Sequence, residues 1–299
     1  MTAVTVSTDL ADTVEQHLGD PYDTANPRGF AAVLAVHETG RPQTGDLLPD
    51  ALTASAHPTP EAWLHALRAL YRRSPGLGST LRTSLHDNGP RAAALAVGAC
   101  VGALDSALRV TVRHLRGRLL YGAPAIDIPQ LRAVLAGVHA DLLLCDVLTT
   151  LAVRGEDALP AREGAHELAV LGLVPRVLQG ALDRLSVLMG SRFYVREGET
   201  GIFQLLLNGA QRELFAPAHG PRPAPGPLPL TELVTAPCAA ALLDPELARA
   251  APGRVLTTPA RRSPQPSGDV QQRLYADLIR RYEGARTFDL VERRIPDRP

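Results

Sequence analysis

Apolar residues recur three and four positions apart through the middle of this chain, a spacing that puts them on one side of successive α-helices. From Arg91 to about Leu119, Leu95, Val101, Leu104, Leu108 and Val112 lie near one stripe. From about Pro129 to Val153 the series is Leu131, Leu135, Val138, Leu142, Cys145, Leu148 and Ala152. From about Pro160 to Gly190 it is Leu168, Leu171, Leu178, Leu182, Leu185 and Met189. Helices of that length on short connections predict antiparallel neighbours in a bundle. Pro175 falls inside the third and is expected to kink or split it, because proline removes one backbone hydrogen bond. A fourth helix is predicted at about 200–215.

Upstream, residues 9–18 and 29–38 carry short helical patterns joined by the turn-rich GDPYDTANPRG. A further helix opens at Thr59-Pro60-Glu61, with threonine as N-cap and proline in the first turn. Its apolar face is Trp63, Leu64, Leu67, Leu70 and Tyr71, and Ser74-Pro75-Gly76 ends it. Residues 76–90 read as a loose stretch without strand alternation. Residues 216–229 contain six prolines and read as a linker. Modest helices are predicted near 231–250 and 268–283, the second amphipathic through Leu274, Leu278 and Tyr282, and the final RRIPDRP is expected to fray. The division is therefore an N-terminal helical region at 1–75, a bundle at 90–215, a proline-rich linker at 216–230 and a helical tail at 231–299. The fold class is all-α.

Burial adds one expectation. Leu135 and Leu142 on the second long helix, and Leu171, Leu178 and Leu182 on the third, cannot all bury within a single three-helix layer. Exposed leucines at a cost of about 1.5–3 kcal/mol each predict either a dimer or coverage by the tail helix.

Composition narrows the chemistry. Apolar residues are 45% of the 299, and aromatics only 4%, which suits leucine, alanine and valine packing between helices. The formal net charge is zero, so the whole chain has no electrostatic footprint for nucleic acid or an anionic membrane. All 31 basic residues are arginine, which excludes a lysine Schiff base, a lysine nucleophile and a P-loop lysine. Cys100, Cys145 and Cys238 stand apart among apolar residues and read as free thiols in a reducing cytoplasm. The N-terminus lacks the basic and apolar regions of a signal peptide, and the apolar run from Ala92 stops at Asp105, short of a membrane span.

Dinucleotide, P-loop, nucleophile-elbow and zincin motifs are absent. A single E-x-x-H occurs, Glu163 to His166. A di-iron bundle needs two such pairs and two more inward glutamates, whereas the interior acids of the first two long helices are Asp105, Asp141 and Asp146, so no metal site is expected. His114 and His139 read as surface or internally satisfied. Arg109, Arg113 and Arg116 share a helical face, read as solvated or inter-subunit; a nucleotide phosphate site is the alternative.

Two short motifs carry more. Arg118-Leu-Leu-Tyr121-Gly122 sits between two long helices, and Met189-Gly190-Ser191-Arg192-Phe193-Tyr194 closes the third. In that order, over about residues 91–215, the chain resembles the C-terminal helical domain of flavin-dependent acyl-CoA dehydrogenases. The N-terminal helices also look like that family's helical N-terminal region. The resemblance implies that Arg118, with Tyr121 and Gly122, contacts the pyrophosphate of FAD across a subunit boundary and that the Gly190 turn approaches the flavin. It implies as partner a second copy or a full-length relative.

Three departures bear on activity. The interval between Tyr71 and Arg91 has no room for the family's β-domain, which holds the isoalloxazine and the acyl thioester. Gln204 falls where the family places a glutamate base, and Asn208-Gly209 where it places Arg-Asp; an amide cannot abstract an α-proton. Glu197 and Glu199 are the nearby substitutes, in a short polar turn expected to be exposed. The closing segment is replaced by the proline-rich linker. Two functions follow from the resemblance: a subunit lending part of an FAD site to a partner flavoenzyme acting on acyl thioesters, or a catalytically inactive interaction protein in a biosynthetic pathway.

Overall fold

A computed structural model describes residues 9–39, 59–84, 90–154, 165–215 and 268–297. Nine α-helices are present among the described residues: α1 Leu10–Leu18, α2 Phe30–Thr39, α3 Pro60–Arg73, α4 Pro75–Ser84, α5 Pro90–Gly117, α6 Pro129–Arg154, α7 Ala165–Met189, α8 Gly198–Leu214 and α9 Gly268–Glu283. Among the described residues, strand is confined to a two-stranded hairpin, β1 Leu119–Leu120 with β2 Ala123–Pro124, and an isolated Arg286–Arg294 bridge. The all-α expectation holds. The linker at 216–230, the predicted helix at 231–250, Cys238 and Glu163 lie outside the described residues.

Local signals account for the starts. Asp9 caps α1 by accepting from the Ala11 amide at 3.0 Å, and Thr59 caps α3 by accepting from the Ala62 amide at 3.2 Å. The loose stretch expected after Tyr71 is instead largely α4, which begins immediately after Ser74. Its glycines and serines favour helix poorly. Packing decides: Leu77 is buried, and Gly78 lies flat on the Tyr71 ring, where a Cβ would come within 2.0 Å of Cδ2.

Helix α5 is the centre, packed by α3, α6, α7 and α8. The crossing with α3 is close enough that a Cβ on Gly102 would stand 2.1 Å from the Arg68 carbonyl oxygen. Helices α5 and α6 are long and apolar enough to cross a bilayer by length and composition alone. Their side chains are the buried middle of the bundle, which explains that composition. Helix α7 runs as one helix through Pro175 and does not split. The buried flank between Val170 and Val177 holds it in place against the loss of one hydrogen bond.

Two further expectations are corrected. Leu135, Leu142, Leu171, Leu178 and Leu182 are all buried within one chain. A central α5 gives α6 and α7 more neighbours than a single layer would, so burial does not demand a partner. The tail helix α9 does fold back, as one of the two alternatives had it, onto α6, the helix of Leu135 and Leu142, meeting it at Ala136, Ala140 and Leu143 through Val270 and Leu274. The C-terminal segment, expected to fray, is inserted: Phe288 is fully buried and Arg293, Ile295 and Asp297 are buried. Carboxylates inside the bundle hold it there.

Candidate functional site

The residues singled out by resemblance lie at one end of the bundle. Helix α5 ends at Gly117, and the Arg118 amide still donates to the His114 carbonyl at 3.1 Å while its own carbonyl accepts from Ala125 at 2.7 Å. The chain between makes the hairpin, with Leu120 opposite Ala123 and a two-residue turn of Tyr121 (φ 54°) and Gly122 (φ 82°). Positive φ at both positions is the turn whose twist matches paired strands, and glycine at the second makes it accessible. Tyr121 at the tip is fully exposed.

Gly190 ends α7 with φ 62° and starts the 3-10 turn Gly190–Tyr194. The structure brings two of the four site residues together. A Cβ on Gly190 would meet Arg118 Nη1 at 3.4 Å, so the guanidinium lies over the bare backbone of the α7 terminus. Tyr121 and Gly122 stand at the tip instead, with nothing within 4 Å of a Cβ placed on Gly122. Arg118 is itself exposed. Apolar side chains on both segments are exposed as well: Leu119 at 68%, Val187 at 77% and Tyr194 at 81%.

The positions that the resemblance set against a catalytic end have structural uses. Gln204 Nε2 donates to the Phe193 carbonyl and ties α8 to the 3-10 turn. Asn208 is exposed, and Gly209 lets Pro75 approach, where a Cβ would fall 2.7 Å from Pro75 Cγ. Glu197 is exposed and Glu199 is ion-paired with Arg113 Nε at 2.7 Å. None is placed as a general base.

The arginine face of α5 is solvated only at its end: Arg116 is exposed, Arg113 is half-buried, and Arg109 is covered by the chain's own C-terminal segment. Arg109 is buried, donates to the Arg286 carbonyl and packs its guanidinium 4.4 Å from the Phe288 ring centroid. Arg116 pairs with Glu283, and Arg113 stacks over Tyr22 at 4.2 Å.

Around Arg109 lies a buried ionic clasp that sequence reasoning did not assemble. Arg68 uses its whole guanidinium: Nε donates to the Gly98 carbonyl at 3.2 Å, Nη1 to Asp146 at 2.5 Å and Nη2 to Thr149 at 2.9 Å. Arg72 pairs with Glu15 and lies 4.0 Å from Asp105 and 3.8 Å from Asp289. Asp105 accepts from the Phe288 amide and Asp146 from the Leu290 amide, each at 2.7 Å. Arg293 bridges back to Asp9 and Asp12 at the start of α1. Burial pushes the Asp105 carboxyl up to about 6, against the pull of Arg109 and Arg72. Burial would do the same to Asp289, but Arg72 and Arg68 hold it below the ordinary value.

The interior acids Asp105, Asp141 and Asp146 were legible as interior, since Asp105 interrupts an apolar run. What they serve was not. Asp141 pairs with Arg184, and the other two hold the C-terminal segment. His139 is half satisfied: Nε2 lies 3.0 Å from Asp277 Oδ2, while Nδ1 is buried without a hydrogen-bond partner among the described residues. Burial lowers the pKa of this imidazole, against the opposing pull of Asp277. No group of three or more metal-ligating side chains occurs among the described residues. Cys100 and Cys145 are buried. Comparison with known proteins finds no family model, no curated protein and no solved structure that matches this chain.

Proposed function

We propose that this chain is a non-catalytic subunit that docks its hairpin corner on a flavoenzyme of the acyl-CoA dehydrogenase kind and presents Arg118 to the phosphates of FAD held by that partner. The observation that carries this reading is the exposed Arg118 guanidinium over Gly190, with exposed Leu119, Val187 and Tyr194 on the two segments that meet there. A guanidinium fork binds phosphate oxygens bidentately, and the missing Cβ at Gly190 leaves the backbone open to close approach. These residues fit the pyrophosphate end of the cofactor. When bound, FAD supplies hydride acceptance. This chain's share is to orient the phosphates and, through its apolar rim, to exclude water from the joint. A proton-abstracting role finds no support, because Gln204 is an amide already spent on Phe193 and Glu199 is paired with Arg113.

The second reading, a scaffold without any cofactor contact, is favoured by the same use of Gln204. Co-expression with a full-length acyl-CoA dehydrogenase from the same organism separates the two. The flavin-sharing reading expects a colourless chain alone, a yellow complex, and loss of flavin from the complex with Arg118→Ala while the two chains still co-elute. A complex that keeps its flavin despite Arg118→Ala supports the scaffold, and no complex at all sinks both.

A further inference from the structure

A cavity of about 30 Å³ lies between α1, α3, α5 and the end of the C-terminal segment, room for about two waters. Tyr22, Arg72, Arg73 and Arg109 form its polar wall; Leu18, Phe30 and Ile295 supply an apolar one. The Tyr22 hydroxyl, Arg72 Nη1, and Arg109 Nε and Nη1 are buried there without a hydrogen-bond partner among the described residues. Arg109 Nη1 is still ion-paired with Asp297, and Arg72 Nη1 with Asp105 and Asp289. The Tyr22 hydroxyl and Arg109 Nε have neither a hydrogen bond nor an ion pair among the described residues, which is unusual because buried polar groups are nearly always satisfied. Arg73 adds charge. It is buried, donates to the Leu18, Gly19 and Arg28 carbonyls, and has no carboxylate within ion-pair distance among the described residues. Burial pushes it down to about 10, as fits a cation whose counterions are distant. On the cavity wall, three arginines face two carboxylates, Glu15 and Asp297; Asp105 and Asp289 flank Arg72 without lining the cavity.

The group that sits against these donors is Asp297, and it fits poorly. Its carboxylate is held by one ion pair, 3.2 Å from Arg109 Nη1, whose geometry falls short of a well-aligned hydrogen bond. Burial raises its pKa. The anchors of the segment lie upstream, at Arg286, Phe288, Leu290 and Arg293, and the Ile295 amide donates to the Ala285 carbonyl at 2.9 Å. Pro296 and Asp297 can therefore swing away while the rest stays seated.

We infer that this cleft is a binding site for a small organic acid, a carboxylate on a short apolar body, received by Arg109, Arg72 and Tyr22 in place of Asp297. The built-in occupant is a proline followed by a carboxylate, and the ligand class copies it: charge toward the arginines, carbon toward Leu18, Phe30 and Ile295. A tethered occupant competes at an effective concentration in the millimolar range or above, so the unaltered chain masks the site.

The test is calorimetric titration of isovalerate, and separately of inorganic phosphate, into the full-length chain and into full-length Asp297→Ala. The proposal expects isovalerate to bind Asp297→Ala at least about tenfold tighter than the unaltered chain. It also expects that gain to vanish in Asp297→Ala/Arg109→Gln, with helical circular dichroism retained. Equal affinities, or no heat with Asp297→Ala, overturn it; so does phosphate binding as tightly as isovalerate, which would leave the apolar wall without a role. Should Asp297→Ala lose helical signal, Asp297→Asn, which keeps the shape and removes the charge, is held to the same tenfold criterion.

Discussion

The hairpin corner and the ionic clasp are both built around arginines on or next to α5, and they differ in where the counter-charges come from. At the clasp, Arg68, Arg72, Arg109 and Arg293 are buried and face carboxylates of the same chain. At the corner, Arg118 is exposed over a glycine, beside exposed apolar side chains. Buried charge must be compensated internally, and the compensation fixes the C-terminal segment in the bundle. A surface guanidinium has no such requirement and stays available to an outside anion. The contrast separates arginines paired with carboxylates inside the fold from one left exposed at the surface, which the proposed function assigns to a partner's phosphates.

The comparison breaks most sharply if the clasp carries little stability. Asp146→Ala would leave Arg68 buried without its counter-charge and the Leu290 amide without its acceptor. Loss of about 3–5 kcal/mol is expected in urea unfolding, with α9 and the C-terminal segment losing amide-exchange protection first. Asp105 gives a test through pH. Its folded pKa, about 6, stands above its ordinary 3.8, so the folded protein holds this proton more tightly than the unfolded chain. Its contribution to stability is therefore present below about pH 4 and lost as pH rises through about 6, on the order of 3 kcal/mol. In Asp105→Asn, the stability-versus-pH curve should lack that fall; an unchanged curve would show that the carboxyl titrates normally. Gly102→Ala probes the α3–α5 crossing, where the added methyl meets the Arg68 carbonyl at 2.1 Å. A loss of about 1–3 kcal/mol in thermal or urea unfolding is expected. Arg118→Ala is the smallest: within about 0.5 kcal/mol of the unaltered stability, as for a surface residue. A large loss there would make Arg118 structural and erase the difference between the two regions.

Much of the fold was legible before any coordinates. The three- and four-residue spacing located α5, α6, α7 and α9, and Thr59-Pro60 marked the start of α3, because helical period and capping are local properties. Arg118 and Gly190 were singled out by resemblance, and their meeting at one corner came from the structure. Helix α4 was missed because Gly76 and Gly78 argue against helix, while the contact with Tyr71 that overrides them is tertiary. The C-terminal segment was misread for a related reason. Arginine and proline at a chain end read as solvated unless buried acids elsewhere are known to receive them.

The sequence by itself determined the class of structure and bounded the chemistry: helices with apolar stripes and no lysine anywhere. Only the tertiary structure decided what the charges do. Arg68 and Asp146 are 78 positions apart, and Asp105 and Phe288 are 183 apart. A charged residue on an apolar helix face declares that it needs a partner, but the partner's identity depends on how the helices cross, and no local pattern encodes that distance.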